Sequence, residues 1–149
     1  MISFRLFYYI TILFLFTQMA FSNTFSLIEN EDNTWNVNYI SDAIVAGFQF
    51  NVDGVVVINS ASGGDAAENG FMISSSSSST VVLGFSLTGS TIPPGEGILL
   101  VMDLSGIPTG LSGIVVSDPS GIALDFIYDD GSDVNGCTDD EFDCGDGSC

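Results

Sequence analysis

The chain has 149 residues, with 19 Asp or Glu, one Lys or Arg and no His, so its formal net charge at pH 7 is −18. A chain this acidic repels phosphate backbones, which argues against nucleic acid as a partner. Without His there is no Ser-His-Asp or Cys-His catalytic arrangement and no imidazole metal site. The length allows one domain of ordinary size and a small appendage.

Residues 1–22 have the features of a secretory signal peptide. Arg5 supplies the positive start, residues 6–16 are an apolar run, and Ala20 and Ser22 are the small residues that precede a cleavage site. The alternative is an uncleaved anchor, because a helix needs about 20 apolar residues to span a bilayer and residues 2–21 are just long enough. Contact with a membrane is expected only in that second case. Either way, we expect a secreted or cell-surface protein.

Cleavage would remove Arg5, the one cationic side chain, and leave all the acids behind. Every carboxylate would then have to be solvated, hydrogen-bonded or bound to a metal. The first interpretation is a solvated acidic surface that salt screens. The second is calcium, the usual extracellular ion for clustered oxygen ligands. No cofactor is assigned, and calcium stays open.

After the signal peptide, the sequence alternates between apolar and polar residues, as half-buried strands do. In residues 35–40 the large side chains take one face and the Asn side chains the other. Phe48, Phe50 and Val52 alternate with polar residues in the next segment. Gly54 then interrupts the pattern before residues 55–58, as a bulge or a change of sheet requires.

Further strand candidates follow, separated by turns rich in Gly, Pro and Ser; they are residues 71–74, 80–87, 97–104, 111–117 and 122–128. Helix is expected only around residues 66–69. The six serines at 74–79 predict a solvated hairpin loop or strand margin. Residues 23–128 are therefore predicted to be all-β, a jelly-roll or immunoglobulin-like sandwich of about 7–9 strands.

One segment, IVAGFQFNV at residues 44–52, resembles the AGFQF strand of cohesin-like domains. The GFSL and GEGILL segments at residues 84–87 and 95–100 and the turn at residues 118–121 are similarly spaced. The resemblance implies a nine-strand jelly roll, related in shape to carbohydrate-binding modules, that serves assembly or adhesion outside the cell. The family's Tyr-Asp-Pro after this strand is replaced by Val52-Asp53-Gly54. No partner-binding residues are therefore carried over.

The composition changes at residue 129, where an acidic linker (129–136) leads to a cysteine-containing segment (137–149). The pattern C-x4-F-x-C-x2-G-x-C resembles the opening half of an LDL receptor class A module. The resemblance implies that Cys137 pairs with Cys149, which leaves Cys144 single and indicates that the natural protein continues. A Gly-Cys-Thr-Asp repeat of secreted microbial proteins and a zinc site are the alternatives.

The signal peptide, the predicted sandwich and the partial cysteine module together predict a non-catalytic extracellular binding or adhesion module of a larger secreted or surface protein. Its partner would be a polysaccharide or another extracellular protein module. Trp35 and Tyr39 are the candidate ligand platform, because exposed aromatic rings stack on sugars. The alternative is that both are core residues, since the alternation in residues 35–40 also fits a buried strand face.

Two other functions stay open. One is a structural subunit of a surface layer or fibre. The other is a carbohydrate-active enzyme, which would need two carboxylates roughly 5 to 9.5 Å apart. The acids on or near predicted strands are the candidates for that pair: Asp53, Glu96, Asp103 and Asp125.

Overall fold

A computed structural model describes residues 22–55, 57–76 and 78–132 of the chain. In this part the chain forms ten strands and one short helix, α1 (Gly64–Glu68). The strands are, in chain order, β1 (Asn23–Glu29), β2 (Trp35–Ser41), β3 (Gly47–Asp53), β4 (Val57–Ser62), β5 (Met72–Ser76), β6 (Ser79–Phe85), β7 (Gly95–Ser105), β8 (Gly110–Ser117), β9 (Ala123–Leu124) and β10 (Phe126–Tyr128).

The strands form two five-stranded sheets that enclose one core. The first sheet has the order β10-β1-β2-β7-β4, and the second has the order β5-β6-β3-β8-β9. Neighbouring strands are antiparallel, except that β10 runs parallel to β1. The predicted all-β sandwich is therefore confirmed, with ten strands in the described residues where about 7–9 were predicted.

Alternation along β2 and β3 decides which side chains enter the core. Val37 and Tyr39 of β2 are buried while Asn36 and Asn38 point to the other face. In β3, Phe48, Phe50 and Val52 are all at most 2% exposed. Gly54, with a φ of 81°, ends β3, and the chain crosses to β4 in the opposite sheet. The change of sheet after Gly54 matches the sequence prediction.

A row of aromatic rings runs through the core and joins the two sheets. Phe126 of β10 contacts Phe25 of β1 with ring centroids 4.7 Å apart, and Phe25 contacts Phe50 of β3 at 5.8 Å. The row continues from Phe50 to Phe48 and from Phe48 to Phe71, each at 6.1 Å. Edge-to-face and offset rings at these distances add attraction beyond the burial of their area.

The single strand predicted for residues 122–128 is wrong. Two short strands lie there, separated by Asp125: β9 pairs with β8 in the second sheet, and β10 pairs with β1 in the first. The alternation of apolar residues continues across both, which is why the sequence read as one strand. The break at Asp125 lets one segment cover an edge of each sheet.

Other boundaries differ by a few residues. β1 has no counterpart among the predicted strands, and β4 begins at Val57 and continues through Ser62 into polar sequence. The serine run lies at a hairpin, with Ser74 to Ser76 in β5 and Ser79 opening β6, as expected for a strand margin. No helix in the described ranges is long and apolar enough to cross a bilayer.

The predicted signal sequence up to residue 21 and the cysteine segment lie outside the described residues, as does the second half of the acidic linker, residues 133–136. The cleavage site, the pairing of Cys137 with Cys149 and the LDL receptor class A resemblance therefore stay predictions.

Candidate binding face

The outer face of the second sheet consists of three rows of side chains that run across the strands. The registers place them as Ser74-Leu83-Gln49-Val115, then Met72-Phe85-Gly47-Ser117-Ala123, then Val81-Asn51-Ser112. We call these three rows the neutral face, because none of their side chains carries a charge. The opposite side of the same strands supplies the core residues.

Exposed apolar side chains dominate the middle of the neutral face. Val115 is 56% exposed, Met72 52% and Leu83 38%. Gln49 lies between Leu83 and Val115 on the central strand and is exposed, so it offers a hydrogen-bonding amide at the centre. Gly47 in the next row has no side chain and pairs with Phe85 on one side and Ser117 on the other.

The absence of charge on the neutral face is notable in a chain whose net charge is −18. The nearest strand acid is Asp53 at the end of β3, and its Oδ1 accepts a hydrogen bond of 2.9 Å from the Ser112 hydroxyl. Protein interfaces are depleted of charged residues at their centres. An uncharged apolar face on an otherwise acidic surface therefore has the composition of a docking surface.

The sequence did not single out the neutral face, although a signal for it exists. Residues 43–52, 69–95 and 104–117, which supply the main strands of the second sheet, contain no charged residue at all. Segments without charge are compatible with a buried strand as well as with an exposed interface. Only the strand registers show which of their residues point outward.

The candidate platform residues lie on β2 of the first sheet. Tyr39 is 5% exposed, and its hydroxyl donates a 2.7 Å hydrogen bond to Asp65 Oδ2 on α1. Burial, together with this hydrogen bond and the negative charge of Asp65, raises the pKa of Tyr39 far above its usual value. Trp35 is half-buried and packs against the core. The ring of Tyr39 thus has no free face, and the platform stays a prediction.

The four acids considered for catalysis are dispersed. Glu96 and Asp103 lie seven residues apart on β7, which corresponds to about 20 Å along a strand. Asp103 accepts a 3.0 Å hydrogen bond from the Asn59 amide. Asp53 is on the other sheet and Asp125 lies between β9 and β10. The separation of Glu96 and Asp103 is much larger than a glycosidase pair requires.

Several carboxylates stabilise turns. Asp118 Oδ1 accepts 2.8 Å hydrogen bonds from the backbone N–H groups of Ser120 and Ile122. Asp32 Oδ1 accepts from the Thr34 hydroxyl at 2.6 Å and from its N–H at 3.0 Å, and these bonds lower the pKa of Asp32. Within residues 22–55, 57–76 and 78–132, no group of three or more His, Cys, Asp or Glu side chains could hold a metal ion.

No protein-family model and no curated protein matches the chain. The structure is similar to a non-cellulosomal cohesin from the hyperthermophilic archaeon Archaeoglobus fulgidus, with a TM-score of 0.52, 13% identity, and coverage of 72% of this chain and 86% of that chain. The chain has a cohesin-like β-sandwich fold.

A second solved structure with weaker similarity is the sixth cohesin from scaffoldin B of Acetivibrio cellulolyticus, in complex with a mutant Cel5 dockerin. Its TM-score is 0.46 at 17% identity, and the alignment covers 73% of this chain and 95% of that one. The fold expected from the AGFQF-like segment is thus confirmed by the first comparison at the level of architecture.

Proposed function

We propose that this cohesin-like sandwich is a non-catalytic extracellular module that binds another protein domain through the neutral face. The observation that carries the proposal is the absence of charge from three cross-strand rows of a chain with 19 acids. A solvated surface of such a chain has no physical reason to leave these three rows uncharged, with Asp53 at their margin as the one acid in the strands of the second sheet. A protein interface does, because a carboxylate buried without a partner is costly.

A protein partner suits the neutral face better than a polysaccharide does. Sugars are commonly held by exposed aromatic rings, and the only aromatic residue of the neutral face is Phe85, which is half-buried. Exposed aliphatic side chains around a central amide are instead typical of a protein contact, in which Leu83 and Val115 pack against the partner while Gln49 fixes its register.

The experiment compares two double variants of the full secreted chain. L83E/V115E places two carboxylates at the centre of the neutral face. I28E/I127E places two carboxylates on the outer face of the first sheet, where Ile28 is 50% exposed and Ile127 is 51% exposed. Both variants therefore change the net charge equally and replace exposed side chains only, so cooperative melting should persist in both.

The wild-type chain is immobilised and used to capture secreted proteins of the source organism, and affinity for the purified partner is then measured by calorimetry. We expect L83E/V115E to weaken binding by at least about 100-fold, as for a central interface residue, and I28E/I127E to change it little. Equal binding by all three chains would contradict the proposal.

Two other outcomes would also overturn the proposal. Binding of a polysaccharide with no protein captured would favour a carbohydrate-binding module. A homodimer in light scattering that L83E/V115E dissociates, with no other protein captured, would favour the structural-subunit alternative.

A further inference from the structure

Strand β1 begins at the residue that would follow cleavage of the signal peptide. Its first residue, Asn23, comes directly after Ser22, the predicted cleavage site. β1 lies inside the first sheet, between β10 and β2, and pairs with β10 from Asn23 onward and with β2 from Thr24 onward. Cleavage after Ser22 would therefore form a new ammonium group at the very end of an interior strand.

An acid lies in the chain segment on each side of this strand end. On one side, the backbone N–H of Asp42 donates a 2.8 Å hydrogen bond to Asn23 Oδ1, so Asp42 is in contact with Asn23. On the other side, Asn23 pairs with Phe126 of β10, and Asp125 directly precedes Phe126. Asp42 and Asp125 are both exposed, so their carboxylates can turn toward a charge formed at Asn23.

The next acids at this end of the sandwich are farther away or already bonded. Glu96 lies on β7, two strands from β1, which corresponds to roughly 10 Å across the sheet. That distance is about one Debye length at physiological salt. Asp118 in the turn after β8 accepts two backbone hydrogen bonds within its own turn. Asp42 and Asp125 are therefore the main partners for a charge at the start of β1.

The composition of the chain makes this ammonium group unusual. The one cationic side chain, Arg5, would leave with the signal peptide, whereas all 19 acids follow residue 22. The α-ammonium group would then be the one positive charge of the secreted chain. Nearby opposite charges favour the charged form of an amino group and raise its pKa.

We propose that cleavage after Ser22 supplies a structural cation, the Asn23 ammonium group, which pairs with the carboxylates of Asp42 and Asp125. Hydrolysis of the Ser22–Asn23 peptide bond consumes one water and leaves a carboxylate on Ser22 and the ammonium on Asn23. The uncleaved chain has a neutral peptide group at this position, so processing itself stabilises the start of β1. The proposal rests on the predicted cleavage and does not depend on the neutral face.

The test uses the chain secreted with its own signal sequence. Mass spectrometry identifies its first residue, and competitive acetylation as a function of pH then measures the pKa of the α-amino group. The secreted chain has no Lys, so this group is the only amine that the reagent can modify. We expect a pKa in the folded chain above the ordinary range of about 7.7–8.0, and an ordinary pKa when the same chain is unfolded in urea.

Two double variants with equal loss of charge separate pairing from the general field of the acids. D42N/D125N should lower the pKa of the folded chain by about 0.5–1, which is threefold to tenfold in proton affinity. E29Q/E31Q removes two exposed acids at the far end of β1, roughly 20 Å along the strand from Asn23. It should lower the pKa by less than about 0.2, because salt screens charges at that distance.

The raised pKa also predicts how stability depends on pH. The stabilisation from the Asn23 ammonium is complete below the pKa of the unfolded chain, near 8, and is lost as the pH rises through the higher pKa of the folded chain. The chain acetylated at Asn23 has no ammonium at any pH. Its Tm at about pH 6 should therefore be lower than that of the unmodified chain, and the difference should vanish above about pH 10.

A secreted chain that begins at another residue, or that retains the signal sequence, would overturn the proposal. So would a pKa that is the same in the folded chain and in urea. Equal decreases in D42N/D125N and E29Q/E31Q would also overturn it, since the general charge of the chain would then explain the pKa. The measurement requires no partner, so its result is independent of whether the neutral face binds one.

Discussion

The ring of Phe48 lies directly over Gly84, its cross-strand neighbour in the β3–β6 pair. A Cβ atom on Gly84 would overlap the Cε1, Cε2 and Cζ atoms of that ring. The glycine therefore provides the space in which Phe48 joins the row of aromatic rings between Phe50 and Phe71. The β3–β6 pair contributes to the neutral face on its outer side. On its inner side, the contact between Phe48 and Gly84 joins the pair to the core.

Replacement of Gly84 by Ala should destabilise the sandwich by about 1–3 kcal/mol, because a methyl group would force the Phe48 ring out of its position. The measurement is the free energy of unfolding from urea denaturation.

Gly47 is the matched control for Gly84. It lies in the same strand pair, and a Cβ there would make ordinary contacts of 3.4 Å with the Ser117 hydroxyl oxygen and 3.6 Å with the Gly84 carbonyl oxygen. The Gly47→Ala substitution should change stability by less than about 1 kcal/mol. Equal losses for the two variants would show that the Phe48 contact is not the cause.

The hydrogen bond between Tyr39 and Asp65 fixes helix α1 to the first sheet. Tyr39→Phe should lower the free energy of unfolding by about 1–2 kcal/mol, since the bond involves a charged acceptor that water can partly rehydrate. Differential scanning calorimetry at neutral pH measures the accompanying drop in Tm. An unchanged Tm would mean that water satisfies Asp65 equally well and that the bond contributes nothing.

The raised pKa of Tyr39 predicts a loss of stability in alkali. The phenol of the unfolded chain ionises near pH 10, whereas burial and the Asp65 hydrogen bond keep the folded Tyr39 protonated to higher pH. The stabilisation linked to Tyr39 is thus complete below pH 10 and is lost as the pH rises above it.

Urea denaturation at pH 8 and pH 11 measures this loss, which Tyr39→Phe should reduce. Tyr128→Phe is the comparison, because burial and the charges of Asp130 and Asp129 also raise the pKa of Tyr128. An identical alkaline loss in the wild type and in Tyr39→Phe would exclude Tyr39 as its source.

Salt should stabilise the sandwich through screening. The described acids have no cationic side chain among residues 22–132 to pair with, so their mutual repulsion decreases as the ionic strength rises. We expect Tm to increase smoothly with sodium chloride. The measurement is calorimetry in sodium chloride and in calcium chloride, followed by excess chelator.

At equal ionic strength, calcium and sodium should have similar effects on the sandwich transition. A much larger rise in Tm with calcium, reversed by the chelator, would mean that the native state binds the ion. It would contradict simple screening and would require a calcium site to be located.

The sheets of this protein were predictable where the alternation is regular. Residues 35–39 and 48–53 have the predicted inward and outward faces, because large and polar side chains alternate strictly there. Ile40 is the exception, since this large side chain lies on the outer face with Asn36 and Asn38 and is 38% exposed. The break at Asp125 was not predictable, since Leu124, Phe126 and Tyr128 keep the same alternation while the chain changes sheet. The period of the apolar alternation does not determine which sheet a strand joins.

The candidate binding face was harder to predict from the sequence than the strands were. The aromatic character of Tyr39 and Trp35 suggests ligand residues, but strand alternation places Tyr39 in the core. The neutral face depends on the pairing of Gln49 with Leu83 and Val115, residues that are distant in sequence. Such pairings follow from the topology of the whole sandwich and not from any local motif.

The most direct test of the central claim is hydroxyl-radical footprinting of the full chain, free and bound to its captured partner. The account predicts that Met72, Leu83 and Phe85 on the neutral face become protected, while Ile28 and Ile127 on the first sheet stay reactive. Protection confined to the first sheet, with Met72 and Leu83 unchanged, would contradict it.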